Sequence, residues 1–272
     1  MNLFFKIIWI IFSSLVVLIV LGWIGLQIQP ASFPAFAQAQ GTFETIPLPV
    51  GLPAPVARFY RKLYGDKIPV IRSAVISGRA ALRPVGPISL PSRFRITHIA
   101  GQDYRHYIEA TIFGIPILKI NESYIAGSSR MAMPWGTTEN DPRANQGANL
   151  AIWAEAMWFP AILLTDPRVR WSAVDDVTAT LRVPFGTNTE TFVARFDPQT
   201  HLLAYFESMR FKTDQKVLWL NEARVWGDLA GVTVLKKSAV IWMDDGKPWA
   251  NFEVEEILLN ADVSKTIGRT GL

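Results

Sequence analysis

The sequence predicts a mainly β protein with few helices. An N-terminal transmembrane helix is expected to precede an antiparallel curved sheet, a half-barrel or open barrel, with one central apolar helix against its concave face. Three observations carry this expectation. Ile7 to Leu26 contains no charged residue and matches the roughly 20 apolar residues that span a hydrocarbon core. From Val70 onward most segments alternate apolar and polar residues with a period of two and are separated by turn residues. Between two such runs, Asn145 to Leu164 repeats its apolar residues at three and four positions, the spacing of a helix face.

The anchor comes first in the chain. Lys6 is the only basic residue beside the apolar run, and no Lys or Arg follows until Arg58. Excess positive charge stays on the cytoplasmic side, so the expected topology is single-pass, with a cytoplasmic N-terminus and an extracytoplasmic C-terminal domain. Ala35-Phe36-Ala37 has the small-x-small form that signal peptidase accepts. It lies far from the apolar run, however, and that run exceeds the ~7–15 residues of a signal h-region, so the segment is expected to be retained as an anchor. Gln27 to Leu52 is rich in Pro, Ala, Gln and Gly without hydrophobic period and reads as an extended linker. The expected division is a transmembrane anchor over residues 1–27, a linker over 28–52 and a single β-rich extracytoplasmic domain over 53–272. The roughly 245 residues after the anchor suit one sandwich or barrel domain.

Pro53-Ala54-Pro55 opens a short amphipathic helix in which Val56, Phe59, Tyr60 and Leu63 share a face, with Gly65 as its stop. Strands follow at Val70 to Arg83, Ser92 to Gly101 and Asp103 to Phe113, and Ile117 to Pro134 supplies two more, turning near Gly127-Ser128. In the second, Phe94, Ile96 and His98 alternate with Arg93, Arg95 and Thr97, giving one apolar and one basic face. Trp135 to Arg143 reads as a polar loop. The helix of Asn145 to Leu164 is apolar over most of its circumference with Glu155 as its only charge, and Pro160 is expected to kink it after Trp158-Phe159. Seven more strands follow, with turns at Asp175-Asp176, Gly186-Thr187-Asn188, Asp197-Pro198, Gly227-Asp228 and Asp244-Asp245-Gly246. Short connections make neighbours pair antiparallel, giving about ten to twelve strands in two groups on either side of the helix.

The run EAMWFPAILLTDPRVRWSAVDDVTATL, Glu155 to Leu181, together with PVARFYRKLYGDKIPVIRSAVISG before it and the closing strands, resembles a bacterial and archaeal family of unknown function, the DUF6544 type. The resemblance covers nearly all of the chain after the linker and implies a single domain. It assigns no activity. In the order of its elements the chain is also similar to periplasmic lipoprotein carriers and envelope-stress sensors, whose half-barrel shields an acyl chain beneath a helical lid.

Composition and motifs exclude several chemistries. The net charge of +4 is small and dispersed, whereas nucleic-acid binders cluster Lys and Arg on one face; no nucleic-acid partner is expected. The chain has no cysteine, hence no thiolate nucleophile or disulfide, and no G-x-S-x-G elbow, H-E-x-x-H, P-loop or dinucleotide glycine pattern. His98 and His106 flank the Gly101-Gln102 turn, so a hairpin brings them together on the face of Phe94, Ile96, Tyr104 and Ile108. A zinc site wants three or four ligands; no third is visible, and both read as core or cavity-wall side chains. His201 reads as a turn residue, and Glu253, Glu255 and Glu256 as a solvated strand face. Glu155 is expected to pair with Arg168 or Arg170.

The functional expectation is a non-enzymatic domain that binds a lipid or other apolar small molecule, without cofactor or metal, held at the membrane through Ile7 to Leu26. The expected pocket residues are Trp153, Met157, Trp158, Phe159, Trp171, Phe94, His98 and His106. The alternatives are a structural or protein-interaction module of the envelope with a filled core and, third, a hydrolase-like enzyme.

Overall fold

Helix α1 (Leu3–Gln27) opens the computed structural model, which describes residues 3–84, 86–229 and 232–271. Among the described residues it is the one helix long and apolar enough to cross a membrane. Its side chains are exposed all round, and only Gly25 is buried. There the carbonyl of Gly25 accepts a 2.9 Å hydrogen bond from the Phe113 amide.

The segment 28–43 is extended, as a chain rich in Pro and poor in apolar period requires, and it lies along the outer face of the sheet. Ser32 donates to Glu255 at 2.6 Å, the Phe36 amide donates to Glu256 at 3.2 Å, and Arg93 donates to the Ala31 carbonyl at 3.1 Å. The Arg93 guanidinium stacks on Phe33 at 4.4 Å. Glu255 and Glu256, expected on a solvated face, therefore sit half-buried against this strap and pair with Arg79 and Arg95. Strand β1 (Thr45–Pro47) then pairs with β2 (Lys67–Pro69) on either side of α2 (Ala54–Tyr64). Val56, Phe59 and Tyr60 are the buried side of α2, and the Tyr60 hydroxyl donates 2.8 Å to the Pro160 carbonyl.

The remaining strands form one antiparallel sheet. They are β3 (Ser73–Leu82), β4 (Leu90–Ile99), β5 (Asp103–Ile112), β6 (Ile115–Ile125), β7 (Ser128–Met133), β8 (Gly136–Glu139), β9 (Arg170–Ala173), β10 (Thr178–Phe185), β11 (Asn188–Phe196), β12 (Leu203–Phe211), β13 (Lys216–Leu229), β14 (Val232–Trp242) and β15 (Lys247–Leu259). The spatial order is β8-β7-β6-β5-β4-β3-β15-β14-β13-β12-β11-β10-β9, thirteen strands that do not close. The two expected groups are thus one sheet, because β3 pairs with β15 from Ala250↔Leu82 to Leu259↔Ala74. That long-range pair leaves β8 and β9 as the edges, so the helical segment joining them has to cross the concave face.

Two boundaries differ from expectation. Gly136–Glu139, read as loop, is edge strand β8, since Met133↔Gly136 closes a tight hairpin that supplies its backbone partners. Gly227-Asp228, read as a turn, lies inside β13, paired as Gly227↔Val234 and Asp228↔Thr233; cross-strand pairing overrides turn propensity there, and the connection at 230–231 lies outside the described residues. The antiparallel order places the β3–β4, β5–β6, β12–β13 and β14–β15 tips at one end of the sheet, the end where α1 attaches. The other end is covered by α2.

Candidate functional site

The crossing segment starts earlier than apolar spacing alone suggests. Helix α3 spans Pro142–Glu155, with Asp141 as N-cap accepting from the Arg143 and Ala144 amides at 3.0 Å each, and Pro142 occupies the first turn where its missing N–H costs nothing. The expected helix to Leu164 is broken rather than kinked. After a single 3₁₀ turn at Ala156–Trp158, Phe159 leaves helical geometry at φ −141°, and a short α4 (Ile162–Thr165) resumes. The residue before proline is excluded from the α region by the ring, and Pro160 offers no amide to continue the ladder.

Beneath α3 and its 3₁₀ turn lies a cavity of about 260 Å³. Its walls are Ala151, Ala154, Met157 and Trp158 from the crossing segment, Trp219 from β13, Leu235, Ala239, Val240 and Trp242 from β14, and Trp249 and Phe252 from β15. Polar groups enter from His106, Glu122, Glu155, Arg210, Asn221 and Ser238. Trp158 also borders a second, mainly apolar space of about 330 Å³ on its far side, with Phe159, Tyr64, Leu229, Ile257 and Leu259. The Trp158 ring is fixed between Phe94, stacked at 6.1 Å, and Phe252, edge-on at 5.8 Å.

A polar cluster forms one wall of the first cavity. Glu155 does not meet Arg168 or Arg170. Arg168 is held by Asp166 and the Gly101 carbonyl, and Arg170 by the carbonyls of Pro167 and Val169. Instead Glu155 Oε2 lies 2.8 Å from His98 Nε2 and its Oε1 lies 3.3 Å from His106 Nδ1. The last turn of α3 aims Glu155 at the concave face, where the β4–β5 pairing has set the two imidazoles through Ile96↔His106 and His98↔Tyr104. Burial pushes the Glu155 carboxyl up, but the hydrogen bonds from His106 and His98 outweigh it and hold the group down at about 2. Nearby, Tyr104 donates to Glu122, and burial followed by that carboxylate pushes the phenol well above its ordinary value.

Both oxygens of Glu155 are therefore engaged by imidazole nitrogens. Such a carboxylate clamps α3 to the sheet, and its depressed pKa makes it a weak proton acceptor. Neither imidazole hydrogen-bonds a serine or threonine hydroxyl among the described residues, so the nucleophile–base pair of acyl-transfer enzymes is not assembled. Nor, among the described residues, is any group of three or more His, Asp or Glu side chains placed to hold a metal ion. Eight buried side-chain polar atoms find no partner among the described residues, and four of them, on His106, Trp158, Trp219 and Trp249, belong to residues of this cavity's wall.

The eight residues singled out from sequence fall into four places. Met157, Trp158 and His106 line the first cavity, and Phe159 lines the second. Phe94 and His98 stand one layer behind, against Trp158 and Glu155. Trp153 and Trp171 lie elsewhere: Trp153 is packed under Arg168, and Trp171 donates its indole N–H to the Leu163 carbonyl at 3.0 Å. Opposite α3 stand Trp219, Trp242 and Trp249, which the sequence also offers as aromatics able to line an apolar pocket, and Phe252, the one of the four that sequence reasoning missed.

The sequence profile of a family of unknown function, DUF6544, matches residues 42–254. The chain belongs to this family. The matched residues span the crossing helix and the sheet as far as residue 254 within β15, so the first cavity lies wholly within the family's region. No curated protein matches the chain. Several solved structures are similar to it at low identity, among them the following three. A DUF1329 family protein from Desulfovibrio piger has 11% identity and a TM-score of 0.42, covering 74% of this chain and 88% of its own. A LolA superfamily protein from Nitrosomonas europaea has 9% identity and a TM-score of 0.44, covering 72% and 89%. A putative outer membrane lipoprotein-sorting protein domain from Vibrio parahaemolyticus has 9% identity and a TM-score of 0.42, covering 76% and 89%.

Proposed function

We propose that this chain is a single-pass membrane protein with an extracytoplasmic, non-catalytic domain that holds a lipid or similar apolar molecule in the cavity under α3. The observation that carries the reading is the cavity itself. A helix laid across a concave sheet could have been packed solid, yet tryptophans and alanines here enclose about 260 Å³ of mainly apolar space. Ligand sites occupy ~300–1,000 Å³; the cavity falls just short of that range in volume and matches such sites in its lining, mostly apolar and aromatic side chains with a few polar groups. The second space of about 330 Å³ is separated from the first by Trp158.

Two further features support the reading. Buried unpaired donors each cost ~1–3 kcal/mol, and unpaired atoms gather on this wall, which places the structure's least satisfied region at the cavity. The apolar α1, with Lys6 in its first turn, supplies the anchor.

The convergence of His98, His106 and Glu155 favours the enzymatic reading as the second one. One experiment separates the two. The purified full chain is incubated with a fluorescent fatty acid and, separately, with a chromogenic acyl ester. Saturable uptake without turnover supports the binding domain, whereas ester hydrolysis abolished by Glu155→Gln would replace it with the enzyme.

A further inference from the structure

We infer that the end of the sheet beside α1 docks on the bilayer that α1 spans, so that the mouth of the first cavity faces lipid. The inference rests on the anchored reading proposed above and adds to it an interaction surface and its partner, the interfacial zone of that same membrane.

At ~1.5 Å per residue the uncharged run Ile7 to Leu26 is about 30 Å long, the thickness of the hydrocarbon core. Gly25 is the penultimate residue of that run, so it lies at the edge of the core. The β5–β6 tip is fastened to it, with the Phe113 amide on the Gly25 carbonyl at 2.9 Å. A Cβ at position 25 would stand 2.6 Å from Ile112 and 2.7 Å from the Phe113 ring, so any side chain there would have to displace both. Outside its C-terminal end, which packs beside β4 and β5, α1 is exposed along its length, hence it projects away from the sheet and does not fold back along it. A tip held this close to Gly25 cannot stand clear of the headgroup layer.

The surface at that tip has the matching chemistry. Ile88, Phe113, Ile115 and Ile117 are exposed around the exit of α1, Ile115 by 66% and Ile117 by 53%. Single exposed apolar residues are ordinary, but a cluster of four at the foot of a membrane helix marks a contact with lipid. Lys119 follows on the same face of β6 and is exposed, and a long cation in that position reaches headgroup phosphates. Trp23, exposed just before the junction, is of the type that settles at the interface. The acidic Asp244 and Asp245 at the neighbouring β14–β15 tip are both bound by Lys212, at 2.9 and 3.0 Å.

The cavity opens toward the same end. Its half-buried lining residues Trp242 and Trp249 sit where β14 ends and β15 begins, and Arg210 sits near the end of β12. Leu235 and Ser238 lie deeper along β14 and are buried. The opposite end is shut by α2 through the bond from Tyr60 to Pro160. An apolar molecule exchanging with the cavity thus meets the membrane first, and its chain need not cross bulk water.

The chain has no cysteine, so single cysteines can be placed without background. Full-length variants Val16→Cys, Ile115→Cys, Ile117→Cys and Gln199→Cys, the last at the β11–β12 turn of the opposite end, are labelled with an environment-sensitive fluorophore. They are reconstituted into phosphatidylcholine–phosphatidylglycerol vesicles carrying nitroxide lipids of shallow or deep label position. The inference expects Val16→Cys to be quenched by the deep nitroxide, Ile115→Cys and Ile117→Cys by the shallow one, and Gln199→Cys by neither. If positions 115 and 117 behave like 199 while position 16 is quenched, the docking surface is wrong and the anchor stands. If position 16 is also unquenched, the anchor itself is wrong and the docking falls with it.

Discussion

Replacing Glu155 by glutamine removes the charge that two imidazoles share while keeping nearly the same shape. In the folded chain the carboxyl is held down from 4.5 to about 2, against its own burial, by hydrogen bonds from His106 and His98. A gap of about two and a half pH units, at ~1.4 kcal/mol each, corresponds to about 3 kcal/mol. The sign follows from linkage. A carboxyl whose folded pKa is depressed contributes stability above its unfolded pKa and loses it as pH falls through the folded one. The wild type is therefore expected to exceed Glu155→Gln by about 3 kcal/mol near pH 6, and the difference should shrink between pH 4.5 and about 2. Urea unfolding of the detergent-solubilised full chain, followed by the fluorescence of its ten tryptophans, gives both values. A difference that stays the same at pH 6 and pH 2.5 would refute the assignment of Glu155 as an ionised clamp.

Further outcomes follow from the same geometry. Ala239→Phe places a ring into the first cavity from β14 and should lower uptake of a fluorescent fatty acid several-fold while the far-UV circular dichroism is unchanged. Trp158→Ala removes the wall between the two spaces; it should cost ~3–5 kcal/mol of stability and shift preference toward longer acyl chains in a chain-length series. Asp141→Ala deletes the α3 N-cap and should lower stability by ~0.5–2 kcal/mol, read by thermal melting. Gly25→Leu drives a side chain into Ile112 and Phe113 and should detach α1 from the β5–β6 tip, seen as faster proteolysis after residue 27.

Much of this architecture was legible in the chain because the sheet announces itself locally. Strands such as β4 alternate Phe94, Ile96 and His98 with Arg93, Arg95 and Thr97, and one face is buried accordingly. The approach of His98 to His106 followed from a turn at Gly101-Gln102 and nothing more distant. What stayed hidden depends on contacts far apart in sequence. Nothing local in β3 or β15 says that they pair, and without that pair the crossing of α3 over the concave face cannot be placed. Glu155 was assigned to the nearby arginines because its true partners come from strands 49 and 57 residues away. The start of α3 was missed although Asp141-Pro142 is a cap signal, since the apolar period begins only later. Docking of the strap 28–43 depends on Arg93, Arg95, Glu255 and Glu256, charged groups that by themselves read as a solvated surface.

The central claim is that the cavity under α3 holds a lipid-like molecule. It is tested most directly by native mass spectrometry of the full chain released from host membranes, run beside Ala239→Phe. The variant distinguishes cavity occupancy from lipid merely clinging to α1, which both proteins share. The account predicts a lipid adduct on the wild type that survives activation and is lost or much reduced in Ala239→Phe. A wild type that carries no more lipid than the variant, and takes up no fluorescent fatty acid, would contradict it and leave a structural module of the envelope in its place.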